Sequence, residues 1–501
     1  MNRPPLHRRA LLLAMLLIPT LLSALAQDYV LIGWSESGMH CSNKDFSKVA
    51  LMPPGNTLRA QLIYRLPDGL PKAVTDGFTI EYAIPNNTTS VTKTNFWTYA
   101  KTLFGLPQDL PADIGLTGKG LTGTMDTTGN SFVATRIPVT PYADSNLTKP
   151  APYQLAHLVA KETATGKVLA TTDIVIPVSN EIGCVQSGCH ASETAILNAH
   201  ESVTGFNKAG PVLCATCHAS AGVGLPGKVS VASLSMAVHN KHKSRVGTAT
   251  AITACYKCHP GPTTQCLRDV MSTNAASPMV CQNCHGTVPA LVTSLTNGRK
   301  PWVDEPHCGD STCHGSNFAE EAGRLFHESR GHGKLFCSVC HGSPHAILPS
   351  REANDNAQSI RLQGTAGTLR DCRVCHALLI PVFGPHGVSF NATAVKEKSS
   401  IPSETALMQN YPNPFNPSTS IRFTLAQPGF VTLQVFDHLG RTVRTIAKDV
   451  RDTGVWVEEW RGDDDAGRSV ASGVYFCRLT VRGMDGSGAR TTSTLKMLLV
   501  R

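Results

Sequence analysis

The residues whose types and spacing could do chemistry are cysteines and histidines. Cys-x-x-Cys-His occurs five times, at Cys214, Cys217 and His218, at Cys255, Cys258 and His259, at Cys281, Cys284 and His285, at Cys337, Cys340 and His341, and at Cys372, Cys375 and His376. Two near-copies, Cys184 to Cys189 with His190 and Cys308 to Cys313 with His314, put four residues between the cysteines. In such a motif two thiols can add to the two vinyl groups of one haem as thioethers, which sets the next residue's imidazole beneath the iron. Zinc knuckles draw four protein ligands from paired motifs. Neither zinc nor a disulfide framework explains why histidine follows every one of seven cysteine pairs. Seven covalently attached c-type haems are therefore expected, with His190, His218, His259, His285, His314, His341 and His376 as proximal ligands.

The four-residue spacing is similar to a variant seen among multihaem cytochromes, in which the longer loop can bulge while both sulfurs keep their places. Histidine usage supports a second axial ligand for each iron. Fifteen of the 19 histidines fall between His190 and His386, and eight of those lie outside the motifs. His200, His239, His242, His332, His345 and His386 are expected as distal ligands. The last three sit beside glycine or proline, which lets backbone approach a flat macrocycle. His307, wedged between Pro306 and Cys308, is sterically poor for its own haem, and His327 is a reserve. His40, far upstream, is the expectation for the seventh position, with Met236, Met271 and Met279 as alternatives that would raise one potential.

Successive proximal histidines are separated by 26 (His259 to His285) to 41 (His218 to His259) residues. So short a segment per haem buries little apolar surface of its own, so the macrocycles must form the core, close to one another. Short helices are expected over 192–200 and 320–328, with no regular sheet. An iron with two imidazoles has no position for a substrate, which implies electron transfer rather than catalysis. A reductase of a small oxidised nitrogen or sulfur species would need one open iron, and a filament subunit would borrow a distal histidine from a neighbour. Of 17 cysteines, the motifs use fourteen. Cys41 and Cys266 could be a disulfide, free thiols or a ligand pair, and Cys477 reads as buried filler in a strand.

The chain opens with Arg3, Arg8 and Arg9, an apolar run from Ala10 to Leu22 and a small-residue Ala24-Leu25-Ala26 site, the pattern of a signal peptide over 1–26. No later stretch approaches the ~18 apolar residues of a spanning helix. The formal charge of +9 counts polypeptide alone. Three positive charges leave with the leader, and each ferric haem adds about one net negative charge through its propionates. A nucleic-acid partner is not supported, since no basic groove is interleaved with aromatics.

Residues 27–180 alternate short apolar runs with Pro and Gly turns, at 28–34, 58–66, 77–84, 132–139, 153–160 and 168–178, which predicts an all-β sandwich. The segment Gly33-Trp34 through Gly38-Met39-His40-Cys41, Pro53 to Leu58, Leu369 to Cys372 and Gly384 to Gly387 resembles a group of large bacterial multihaem cytochromes. After a linker at 391–408, residues 409–501 resemble the carboxy-terminal sorting domain of type IX secretion cargo. That resemblance is carried by Asn410-Tyr411-Pro412-Asn413-Pro414-Phe415-Asn416-Pro417, the run Val474-Tyr475-Phe476 after Gly473, and the terminus Lys496 to Arg501. It implies a small immunoglobulin-like sandwich, passage through the periplasm, and an end point outside the cell or on its surface. The expected architecture is thus multidomain: an amino-terminal β-sandwich, a seven-haem region of short helices over 181–390, and a carboxy-terminal β-sandwich. The expected partners are other redox proteins or an extracellular electron acceptor, and the type IX secretion machinery.

Overall fold

The computed structural model describes residues 28–66, 70–273, 278–301, 303–304, 306–318, 320–377, 385–387, 404–410, 413–427, 429–451, 454–483 and 490–500. The expected leader and residues 391–403 of the expected linker lie outside them. The chain forms two compact units that divide between Phe390 and Asn391.

The first unit begins with two five-stranded sheets. One carries Tyr29–Ser35, Asn56–Tyr64, Ser131–Ile137, Asp126–Thr128 and Lys72–Val74, and the other His40–Cys41, Val168–Ser179, Tyr153–Glu162, Phe78–Ala83 and Thr122–Thr124. All six expected strands are present. Strand Tyr153–Glu162 alternates buried and half-buried residues, as a strand with one covered face must. Leu31, Leu58, Leu62 and Phe132 of one sheet and Ile80, Leu158, Ile174 and Ile176 of the other fill the core between them. A helix over Phe96–Phe104, which the sequence reading did not anticipate, packs Phe96 and Trp97 into a second cluster with Phe46.

Strand Tyr29–Ser35 does not alternate, because every residue after Tyr29 is buried. Its second face explains why: Val30, Ile32 and Trp34 form a cluster with Phe336, Val339 and Val374. Burying each of these side chains contributes about 1.5–3 kcal/mol. Gln358 adds a bracket, donating from Nε2 to the Gly33 carbonyl at 3.0 Å while its Oε1 accepts the Gly33 amide at 2.9 Å. The boundary expected at 180/181 therefore does not separate two bodies, since the outer face of one sheet is the floor of the motif-bearing region.

Residues 181–377 are built of short helices and turns. Ser192 caps the helix Glu193–Asn198, accepting from the Ala195 amide at 3.2 Å. The helix expected over 320–328 is not there. The chain turns instead at Gly323, whose φ of 77° interrupts a right-handed helix. Helices Leu234–Val246, Val288–Thr296 and Ala353–Gln363 are the longer pieces. Against the expectation of no sheet, Val212–Leu213 pairs in parallel with Val49–Ala50.

The second unit stacks a three-stranded sheet (Ala406–Leu407, Thr419–Leu425, Gly454–Trp460) on a four-stranded one (Thr442–Arg451, Gly429–Phe436, Gly473–Gly483, Arg490–Leu499). Strand Ala406–Leu407 begins this unit inside the expected linker. Phe415, Phe423, Val431, Leu433, Trp460 and Leu479 close its core, and Cys477 is fully buried there.

Candidate functional site

Each cysteine motif is one tight turn. Cys281–His285 and Cys337–His341 are single turns of α-helix, and Cys214–Thr216 and Cys372–Val374 are turns of 3₁₀-helix. The histidine amide closes on the first cysteine's carbonyl at 2.9 Å in His218–Cys214, His259–Cys255 and His376–Cys372. The same closure, at 3.0 Å for His190–Cys184 and 3.2 Å for His314–Cys308, persists across the longer spacing. The two additional residues are looped out, and the histidine keeps its place relative to the first cysteine.

Each of six histidines outside the motifs faces one motif histidine. The ring centres stand 6.0 Å apart for His190 and His242, 6.1 Å for His218 and His200, 6.1 Å for His259 and His239, and 6.3 Å for His285 and His345. They stand 6.0 Å apart for both His376 with His332 and His341 with His386. No histidine is used twice. Two imidazoles ligating one first-row metal from opposite sides, through bonds of about 2 Å with each ring centre about 1 Å beyond, place their centres about 6 Å apart.

Local hydrogen bonds fix which nitrogen points inward. Nδ1 of His239 lies 2.8 Å from the Ser235 carbonyl, Nδ1 of His242 lies 2.7 Å from that of Val238, and Nδ1 of His218 lies 2.8 Å from that of Ala232. With Nδ1 donating to a carbonyl, Nε2 keeps its lone pair for a metal. Burial, and after it the facing His239, holds His259 down to about 4, the neutral form that ligates. His345 and His386 adopt left-handed backbone at φ 61° and 59°. Such conformations cost free energy in non-glycine residues and gather at functional positions.

The seventh position differs. His40 is buried within the amino-terminal sheets, with Nε2 2.8 Å from the Pro53 carbonyl oxygen. The ring neighbour of His314 is Phe318, at 6.4 Å, and Phe318 lies 5.1 Å from His386. His307 instead sits 3.7 Å from Glu320, and His327 lies 4.0 Å from Glu328.

Contacts link the motifs into a series. The Gly183 amide donates to the Cys258 carbonyl at 3.2 Å, and a Cβ on Gly183 would stand 2.0 Å from the Lys257 oxygen, so only glycine allows that approach. Gln282 Nε2 donates to the Ala251 and Ala249 carbonyls at 2.9 and 3.1 Å, and the neighbouring Cys281 thiol holds Cys255 down to about 7. The Leu369 amide, just before the last motif, donates to Cys340 at 2.9 Å. Burial raises the thiols of Cys214, Cys284 and Cys308, and after it come neighbouring groups: Cys184 acts on Cys214, Cys313 on Cys284, and Cys337, behind Glu320, on Cys308. The spatial order is thus His218, His190, His259, His285, His314, His341, His376, with the first two motifs exchanged relative to sequence. What the sequence could not supply was which histidine faces which, since the partner lies 18 residues before His218 but 60 residues after His285.

No family model matches the chain, and no curated protein does. Among solved structures, it is similar at 20% identity and a TM-score of 0.14 to PorZ, a surface component of the type-IX secretion system of Porphyromonas gingivalis, over 21% of this chain and 13% of that one. CopC from Methylosinus trichosporium OB3b aligns at 12% identity and a TM-score of 0.14, over 19% of this chain and 93% of that one. Dimeric latent PorU from P. gingivalis aligns at 9% identity and a TM-score of 0.18, over 94% of this chain and 34% of that one. Likenesses this distant carry no argument about fold or function. Among the described residues, no helix is long and apolar enough to cross a membrane.

Proposed function

We propose that residues 181–390 bind seven c-type haems and pass electrons along them. The observation that carries this reading is the set of six motif-to-partner imidazole pairs at 6.0–6.3 Å. Among the described residues no third His, Cys, Asp or Glu joins to make a protein-only metal centre. Two opposed imidazoles leave four equatorial positions, the number that a porphyrin fills. The haem, when bound, supplies a one-electron iron couple. The protein's part is to hold each pair of imidazoles opposite one another and to set the motifs in series. Helix Leu234–Val246 buries none of its own residues, which fits a segment whose partners are macrocycles rather than other helices.

The carboxy-terminal unit supports an extracellular destination. It closes a core of its own, and its Asn410 to Thr419 and Lys496 to Arg501 segments resemble type IX sorting domains. In this reading the cytochrome is loaded in the periplasm and then crosses the outer membrane, where it delivers electrons to an external acceptor or another cytochrome. Removing residues 391–501 should leave a seven-haem protein retained in the periplasm. Unchanged surface delivery would refute the sorting role.

A second reading rests on His314, whose ring neighbour among the described residues is Phe318 rather than an imidazole. An open iron there would bind small ligands and could reduce one. Electron paramagnetic resonance and carbon monoxide titration of the reduced protein, with haem counted by pyridine haemochrome, decide between the two. Seven haems without high-spin signal or carbon monoxide shift support a saturated wire. One ligand-binding haem in seven moves the reductase reading first, and fewer than seven haems overturns both.

A further inference from the structure

Two cysteines outside the motifs lie on segments that are joined across the junction between the amino-terminal sheets and the motif-bearing region. Cys41 ends the short strand His40–Cys41 and pairs with Ser179 in parallel register. Ser179 Oγ lies 2.7 Å from Thr264 Oγ1, two residues before Cys266. On the other side, Arg268 Nη1 donates at once to the Gly38 carbonyl at 3.1 Å and to the Cys266 carbonyl at 3.2 Å. The segments 38–41 and 264–268 are therefore clasped both before and after the two cysteines. Both are half-buried thiols here. Burial, followed by the nearness of Cys266, pushes Cys41 up to about 12.

We infer that Cys41 and Cys266 form a disulfide in the exported protein, a covalent tie between the β-sandwich and the haem-binding region. Two S–H bonds break and one S–S bond forms; the two protons and two electrons pass to a thiol-disulfide oxidant of the exported compartment, whose own disulfide becomes a dithiol. The tie lies beside the buried ion pair of Arg268 with Asp355, so it would fasten a place where strand, loop and helix of both regions meet. It rests on the haem reading only in leaving these two cysteines outside the thioether set.

The test is mass spectrometry of the purified holoprotein, unfolded and alkylated with iodoacetamide before proteolysis, with and without prior reduction. A cross-linked peptide pair containing Cys41 and Cys266, lost on reduction, is expected. In Cys266→Ser, Cys41 should become alkylated without reduction, and in Cys41→Ser, Cys266 should. Cys477 serves as the free-thiol control. Alkylation of both cysteines in the unreduced wild type, or linkage of either to another cysteine, overturns the inference. The same digest reports haem on the motif peptides, so a failed disulfide and a failed haem reading give different spectra.

Discussion

His239 and His242 lie one turn apart on the helix Leu234–Val246 and face different motifs, His239 toward His259 and His242 toward His190. Both donate Nδ1 to the carbonyl four residues earlier, so both present Nε2 outward. One helix thus serves two sites and fixes them as neighbours, consistent with the Gly183–Cys258 hydrogen bond between the same two motifs.

The first prediction uses that helix. His239→Ala and His242→Ala should each keep seven haems by pyridine haemochrome, because thioether attachment does not need the distal ligand. Each should turn one low-spin iron high-spin, and the double variant two. Paramagnetic resonance of the oxidised protein reads this directly. Unchanged low-spin intensity in both single variants would show that these histidines are not axial ligands.

Much of this arrangement was legible in the sequence, and the rest was not for identifiable reasons. Strand Tyr153–Glu162 was readable because one face meets a core and the other is half-exposed. Strand Tyr29–Ser35 was found, but its second covered face was not foreseen, because burial on both sides erases the alternation that signals a partner. The motif cysteines announce themselves by spacing. The histidines that face the motif histidines do so only as an excess of histidine, since the ring facing His341 is His386, downstream, while that facing His376 is His332, upstream. Residues 320–328 carry helix-favouring side chains, and a single glycine at 323 decides otherwise. His40 is a buried residue whose Nε2 meets the Pro53 carbonyl, a contact that no spacing in the sequence announces.

That burial has a pH signature. His40 is held down from 6.5 to about 4, chiefly by desolvation. The unfolded chain therefore binds a proton that the folded one refuses between those values, and the stability present above pH 6.5 is lost as pH falls toward 4. At pH 5 the loss relative to pH 7 is about 2 kcal/mol from this residue. His40→Asn should remove that component. Urea midpoints at pH 7 and 5 should converge in the variant relative to wild type, and an equal pH effect in both would assign the sensitivity elsewhere.

The Arg268–Asp355 pair is almost wholly buried, with side-chain exposures of 1% and 6%. Arg268 also holds the Gly38 and Cys266 carbonyls. Arg268→Ala leaves a carboxylate and two carbonyls without their donor, and should cost about 3–5 kcal/mol. Arg268→Lys should recover only part, since a single ammonium cannot reproduce the fork that grips both carboxylate oxygens. Thermal denaturation followed by far-ultraviolet circular dichroism checks both, and a wild-type midpoint in Arg268→Lys would mean that the fork geometry is irrelevant.

The last prediction concerns which pieces fold alone. Residues 404–501 close a core between their own two sheets, with Phe423, Leu433 and Trp460 at its centre. Expressed by themselves they should fold cooperatively and remain monomeric. Residues 27–180 should not, because Val30, Ile32, Trp34 and Ile63, buried against Phe336, Val339 and Val374, would be laid open as a contiguous apolar face of the kind that drives association. The amide and carbonyl of Gly33 would also lose Gln358. Within the full chain, Gln358→Leu should therefore cost about 2–4 kcal/mol by stranding those two backbone groups. Size-exclusion chromatography and amide-exchange protection of the two fragments separate the cases. A soluble, protected monomer of 27–180 would mean that this sheet does not need the motif-bearing region as its second cover.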